Sequence, residues 1–69
     1  MPPMFVELTN DDGIKVYINA NHILSMMPRT LREKVYTKVE TRTYTHYVEE
    51  TPADILSLIR IRKAAGKEG

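Results

Sequence analysis

Two short runs of alternating apolar residues flank the tetrapeptide Asn10-Asp11-Asp12-Gly13, and a β-hairpin is the local structure that uses both features. In the first run Met4, Val6 and Leu8 fall on one side and Phe5, Glu7 and Thr9 on the other. In the second, Ile14, Val16 and Ile18 alternate with Lys15, Tyr17 and Asn19. Alternation of this kind marks a strand with one buried face. Between the runs, Asn and Asp tolerate left-handed backbone angles, and Gly adopts positive φ at no steric cost.

Further along, residues 22–27 form a third apolar run, opened by a polar break or a short helical turn at 19–21 and closed by Pro28. Pro28-Arg29-Thr30 is expected to be a loop. From Leu31 to Val48 the chain is rich in Val, Thr and Tyr, which suit a pleated sheet. Two strands are expected there, over residues 32–40 and 43–49, with a turn near Thr41-Arg42. The final element is a helix. Thr51 can accept a backbone N–H, Pro52 gives up no needed donor at the first helical position, and Asp54 completes a capping box. Ile55, Leu56 and Ile59 make the face expected to lie on the sheet, with Leu58 and Ile61 to its side. The fold class is thus mainly β with one C-terminal helix (α+β): a small antiparallel sheet of about five strands. Residues 1–69 form a single small domain, with 1–3 and 65–69 expected as flexible tails.

A chain of 69 residues has a thin core, since domains of this size bury only about 60% of the surface their unfolded chain exposes. Small domains compensate with disulfides, a metal or a partner chain. There is no cysteine, so a disulfide or thiolate metal site is excluded. His22 and His46 lack ligand spacing. No metal or cofactor is expected, and self-association, most simply as a dimer, is left as the source of added stability. Its interface is expected to use apolar side chains opposite or beside the core faces: Phe5, Tyr17, Leu24, Met26, Leu58 and Ile61, with Tyr36 also placed off the core side. A contiguous set of exposed apolar residues usually marks an interface.

Features that could carry catalysis each have a structural explanation. Ser25 and Ser57 lie in no strained turn motif, His46 sits in a strand between Thr45 and Tyr47 as a sheet residue rather than a general base, and His22 opens a strand or turn. Asp11-Asp12 suits a hairpin turn, and Glu49-Glu50 precedes a helix N-terminus, where negative charge is favoured. A non-catalytic binding protein is expected. The net charge is only +1, which argues against a strongly electrostatic nucleic-acid binder. The middle of the chain is nonetheless basic, with Arg29, Arg32, Lys34, Lys38 and Arg42 against Glu33 and Glu40. On one strand Arg32, Lys34, Tyr36 and Lys38 would share a face, with Tyr44 or Tyr47 on the strand beside them. Cations interleaved with aromatics suit single-stranded RNA or DNA. A solvated sheet face whose lysines discourage edge aggregation explains the same pattern. No run approaches the roughly 18 apolar residues of a membrane span, and Met1-Pro2-Pro3-Met4 is unlike a secretory signal, so a cytoplasmic protein is expected.

The stretch Val6-Glu7-Leu8-Thr9, with Gly13, Val16-Tyr17-Ile18-Asn19 and Ile23, resembles the opening of the FlbD-type flagellar and swarming-motility proteins. Tyr47-Val48-Glu49-Glu50-Thr51, with Ile55-Leu56 and Ile59, resembles their last strand, helix cap and terminal helix. The chain departs from the family at Thr41-Arg42-Thr43, where a Gly turn is usual, and in its longer basic segment at 29–42. The resemblance implies a cytoplasmic, non-enzymatic bacterial protein, either a motility accessory or a mobile-element protein on the same scaffold.

Overall fold

A computed structural model describes residues 4–67. Strands β1 (Phe5–Thr9) and β2 (Lys15–Asn19) form the hairpin, followed by a 3-10 turn at Ala20–His22. Strands β3 (Ile23–Leu31), β4 (Lys34–Thr41) and β5 (Thr45–Val48) form a meander, and helix α1 (Pro52–Lys67) ends the described chain. This is the α+β fold expected, five antiparallel strands and a terminal helix. The strands divide into a two-stranded and a three-stranded sheet. One bridge, Asn10 to Val48, joins them, and the Glu49 N–H donates to the Thr9 carbonyl at 2.8 Å.

Local chemistry explains each turn. At the first, the Asn10 side-chain oxygen accepts from the N–H groups of Asp12 and Ile14, both at 2.9 Å, and Gly13 takes a φ of 81°. Ile14, expected inward, is instead 61% exposed. It bonds back to Asn10 at the mouth of the turn, one step beyond the Leu8–Val16 pair that meets the core. Between β4 and β5 no described residue takes positive φ, and Thr41 holds the turn through its side chain. Its hydroxyl accepts from the Tyr44 N–H at 3.0 Å and donates to the Tyr44 carbonyl at 2.9 Å.

Two expectations fail in the middle of the chain. Pro28-Arg29-Thr30 is not a loop; β3 runs straight through it. Arg32 opens no strand either. Arg32 and Glu33 are a two-residue turn with φ of 52° and 68°, the geometry that best matches the twist of a hairpin. Counting back from the closing pair Leu31–Lys34, the nitrogen of Pro28 points away from β4, so its missing N–H removes no bond.

Val6, Leu8 and Ile18 from the first sheet, Val39 and Val48 from the second, and Ile55 from α1 form the buried core. Val16, Ile23, Met26, Leu58 and Ile59 pack around it. The helix face is therefore Ile55, Leu58 and Ile59, not Ile55, Leu56 and Ile59. Leu56 is 44% exposed, because its position, one residue after Ile55, turns it about 100° from the sheet. The capping box forms as expected: Thr51 Oγ1 accepts from the Asp54 N–H at 3.1 Å, and the Asp54 carboxylate accepts from the Thr51 N–H at 3.3 Å. The helix continues to Lys67, past residue 65 where a tail was expected, while residues 1–3 and 68–69 lie outside the described residues. Among the described residues no helix is long and apolar enough to cross a membrane.

Glu49 and Glu50 have more definite roles than complementing the helix dipole. Glu50 accepts from the Thr9 N–H at 2.8 and 3.1 Å and from the Thr9 hydroxyl at 3.0 Å. The buried Thr37 hydroxyl donates to the Glu50 carbonyl at 2.6 Å. One residue therefore ties the end of β1 to the middle of β4 at the point where the helix begins.

Candidate interaction surfaces

The three-stranded sheet has an inner face built on Thr37, Val39 and Val48, so the alternate residues of β4 face out: Lys34, Tyr36, Lys38 and Glu40. Arg29 pairs across from Tyr36, and Lys38 lies between Met27 and Tyr47. Four of the expected basic-face residues (Arg29, Lys34, Tyr36, Lys38) are thus gathered, with the Lys34 ammonium 5.3 Å from the centre of the Tyr36 ring. Arg32 stands at the hairpin tip and Arg42 in the turn at the other end of β4. An eight-residue strand separates them, roughly 25 Å at 3.3–3.4 Å per residue. The charge of the gathered face is partly matched: Lys34 lies 3.8 Å from Glu49 and Lys38 lies 3.9 Å from Glu40.

The second surface belongs to the first sheet. Val6, Leu8 and Ile18 point to the core, which turns Phe5 and Tyr17 outward, and these are 45% and 64% exposed. They form a low ridge between two hollows. One, of about 290 Å³, continues past Asn19 to His22, Tyr44 and His46. The other, of about 490 Å³, runs beside α1 past Glu7 and Lys15 to Leu58 and Arg62. Tyr44 is 70% exposed and tilts against His46, with ring centres 6.0 Å apart. It lies across the sheet from the basic face; of the two tyrosines expected as alternatives beside that face, Tyr47 is the one that stands next to Lys38.

The expected interface residues separate into groups. Phe5, Tyr17 and Ile61 are exposed, as is Leu24, which sits at the bulge between Ile23 and Ser25 on the far edge strand. Met26 and Leu58 are half-buried and pack on the core. The physical reason differs for the two. The register set by the turn at Arg32-Glu33 places Met26 opposite Val39, and Leu58 is one helical turn from Ile55 on the same face. Leu58 still borders the larger hollow. The convergence of His22, Tyr44 and His46 on Phe5 and Tyr17 had no signal in the sequence. It depends on the strand pairing and on how the end of one sheet meets the turn of the other. Among the described residues no group of three or more His, Asp or Glu side chains is gathered in a way that could hold a metal ion.

In comparisons with family models, curated proteins and solved structures, nothing matches this chain.

Proposed function

We propose that this chain is a small non-catalytic interaction protein that self-associates and binds a protein partner through the aromatic face of its first sheet. The observation that carries this reading is the exposure of Phe5, Tyr17 and Tyr44 around one hollow, with Phe5 and Tyr17 also bordering a second. With roughly 150–250 Å² for each aromatic side chain, the exposed parts of Phe5, Tyr17 and Tyr44 come to about 270–450 Å² per copy. Monomeric proteins rarely leave contiguous apolar patches larger than a few hundred Å² uncovered. Two such faces set side by side in a dimer would offer a protein partner much of the roughly 800 Å² that one side of a specific interface contributes. Sedimentation velocity at micromolar concentration tests the reading: a dimer is expected, and a protein that stays monomeric up to 100 µM would remove its main support.

The resemblance to FlbD-type proteins supports a cytoplasmic setting in bacterial motility, with a mobile-element setting as the alternative. Flagellar genes beside this one would favour the first, and phage or plasmid genes the second. A nucleic-acid role rests on a separate observation, the stacking of Lys34 on Tyr36 opposite Arg29. It ranks below self-association because carboxylates lie within 4 Å of both lysines of that face.

A further inference from the structure

The ladder of the first hairpin fixes which backbone groups β2 presents to the outside. Asn10 N–H donates to the Ile14 carbonyl at 2.9 Å, and Ala20 N–H donates to the Met4 carbonyl at 2.8 Å. In an antiparallel pair the bonded positions recur at every second residue. With Thr9 opposite Lys15 and Phe5 opposite Asn19, the bonded pairs between these limits are Leu8–Val16 and Val6–Ile18. The N–H and C=O groups of Lys15, Tyr17 and Asn19 therefore point away from β1. The same alternation turns the groups of Thr9 outward on the other side of β1, and there the Thr9 N–H meets Glu50 and its carbonyl meets the Glu49 N–H. No such partner serves β2. Among the described residues, the outward groups of Lys15 and Tyr17 and the N–H of Asn19 make no hydrogen bond; the Asn19 carbonyl is engaged at the start of the 3-10 turn.

The edge strand β3 of the second sheet is protected. Its outward positions are Leu24, Met26, Pro28 and Thr30. Pro28 offers no N–H at the centre of that edge, and the bulge at Leu24 breaks its regularity, both recognised means of preventing strand addition. β2 has neither proline nor bulge.

We propose that β2 is the homodimer contact: two copies pair antiparallel along this edge, with the two-fold axis beside Tyr17. This rests on the self-association proposed above and names its geometry. In this register each Tyr17 N–H donates to the Tyr17 carbonyl of the other copy, each Asn19 N–H donates to the opposite Lys15 carbonyl, and each Lys15 N–H donates to the second lone pair of the opposite Asn19 carbonyl. The unpaired groups of the edge so satisfy one another. An axis at Val16 would pair Lys15 with Tyr17 but set the Asn19 N–H opposite Gly13, beyond the strand, and an axis at Ile18 would leave both outward groups of Lys15 without strand partners. Lys15 faces Asn19, so no like charges are opposed. The product is a four-stranded sheet, β1-β2 followed by β2-β1 of the second copy, with both Tyr17 side chains and both Phe5 rings on one face. A two-fold contact of this kind is self-limiting, because each copy's β2 edge is consumed by that of the other.

Proline at position 17 isolates the edge. Its missing N–H lies on the outer side of β2, so Tyr17→Pro leaves the bonds to β1 intact. Tyr17→Val removes the ring but keeps the donor. Sedimentation equilibrium should show a dimer for the unsubstituted protein, dissociation strengthened no more than about tenfold by Tyr17→Val, and about a hundredfold by Tyr17→Pro, with an unchanged circular dichroism spectrum. A folded Tyr17→Pro variant that dimerises like the unsubstituted chain would overturn the edge contact while leaving self-association standing; an unsubstituted chain that is monomeric would overturn both. Crosslinking decides the matter independently of how Tyr17→Pro folds. The chain has no cysteine, and bonded antiparallel partners lie with Cα atoms about 5.5 Å apart, within disulfide reach. Mild oxidation should convert Tyr17→Cys to a covalent dimer and leave Leu24→Cys, on the guarded edge, uncoupled. Failure of Tyr17→Cys to couple under these conditions sinks the proposal.

Discussion

Glu50 holds Thr9 by both of its donors, accepting the backbone N–H at 2.8 Å and the hydroxyl at 3.0 Å across forty-one residues of sequence. The two sheets share little else at this seam: the Asn10–Val48 bridge and the bond from the Glu49 N–H. Glu50→Ala should therefore destabilise the whole fold, by about 1–3 kcal/mol, because it strands a partly buried N–H and removes a charged acceptor. Glu50→Gln keeps one acceptor oxygen and should lose roughly half as much. Urea denaturation of the two variants checks the ordering; equal stability of all three proteins would mean the seam carries no energy.

Thr37 is the buried polar residue of β4, and its hydroxyl donates to the Glu50 carbonyl at 2.6 Å. Thr37→Val fills the same space and deletes the donor, leaving that carbonyl short of a partner. The expected loss is about 1–2 kcal/mol. Combining it with Glu50→Ala should give less than the sum of the two, since both act through the same residue. Strict additivity in the denaturation curves would show the two contacts to be independent.

The contrast between these residues and the hairpin shows where the sequence was readable. The Asn10–Gly13 turn, the alternation around it and the Thr51–Asp54 box are local chemistry, and each forms as its residues require. Pro28 was misread because proline ends a strand only if its N–H would have faced a partner, and the facing depends on the register set by the turn at Arg32-Glu33. That turn lacks the Asn or Gly that normally announces it. Ile14 is apolar and in step with its strand, yet lies beyond the end of the core, whereas Leu56 is turned out of the buried helix face by its position next to Ile55. The basic face was half legible: Lys34, Tyr36 and Lys38 share a side by simple alternation, whereas the opposition of Arg29 and the displacement of Tyr44 follow from pairing.

Arg32 and Glu33 hold positive φ with side chains that disfavour it, at a cost of roughly 1–2 kcal/mol per residue. Replacing them with Asn and Gly should relax the turn and stabilise the protein by about 1–2 kcal/mol. The check is a rise in thermal midpoint of several degrees for a chain of this size. An unchanged or lowered midpoint would mean that the Arg and Glu side chains make compensating contacts.

Tyr44 should separate association from folding. It is 70% exposed, so Tyr44→Ser should alter monomer stability by no more than about 0.5 kcal/mol, as surface substitutions commonly do. Its ring lines the hollow beside Phe5 and Tyr17, and its loss should weaken self-association or partner binding by about tenfold. Sedimentation and denaturation on the same sample give both quantities. A variant that associates normally would place Tyr44 outside the working surface.

The basic face of β4 gives a prediction with a defined ceiling. Arg29, Lys34 and Lys38 are the cations gathered there, and Glu49 and Glu40 lie within 4 Å of the two lysines. If at most three phosphates are neutralised, the logarithm of affinity for a single strand should fall with the logarithm of salt at a slope no steeper than about −2. Between 50 and 200 mM salt that is a loss of roughly twentyfold, from a starting affinity already weakened by the carboxylates. Binding of a labelled oligonucleotide should therefore be detectable only at low salt and should decline with Arg29→Ala, the cation of this face with no carboxylate within 4 Å among the described residues. Glu49→Gln and Glu40→Gln should strengthen it by freeing the lysines. Tight binding at 150 mM salt, or a slope well beyond −2, would require more cations than this face holds and would return a nucleic-acid role to first place.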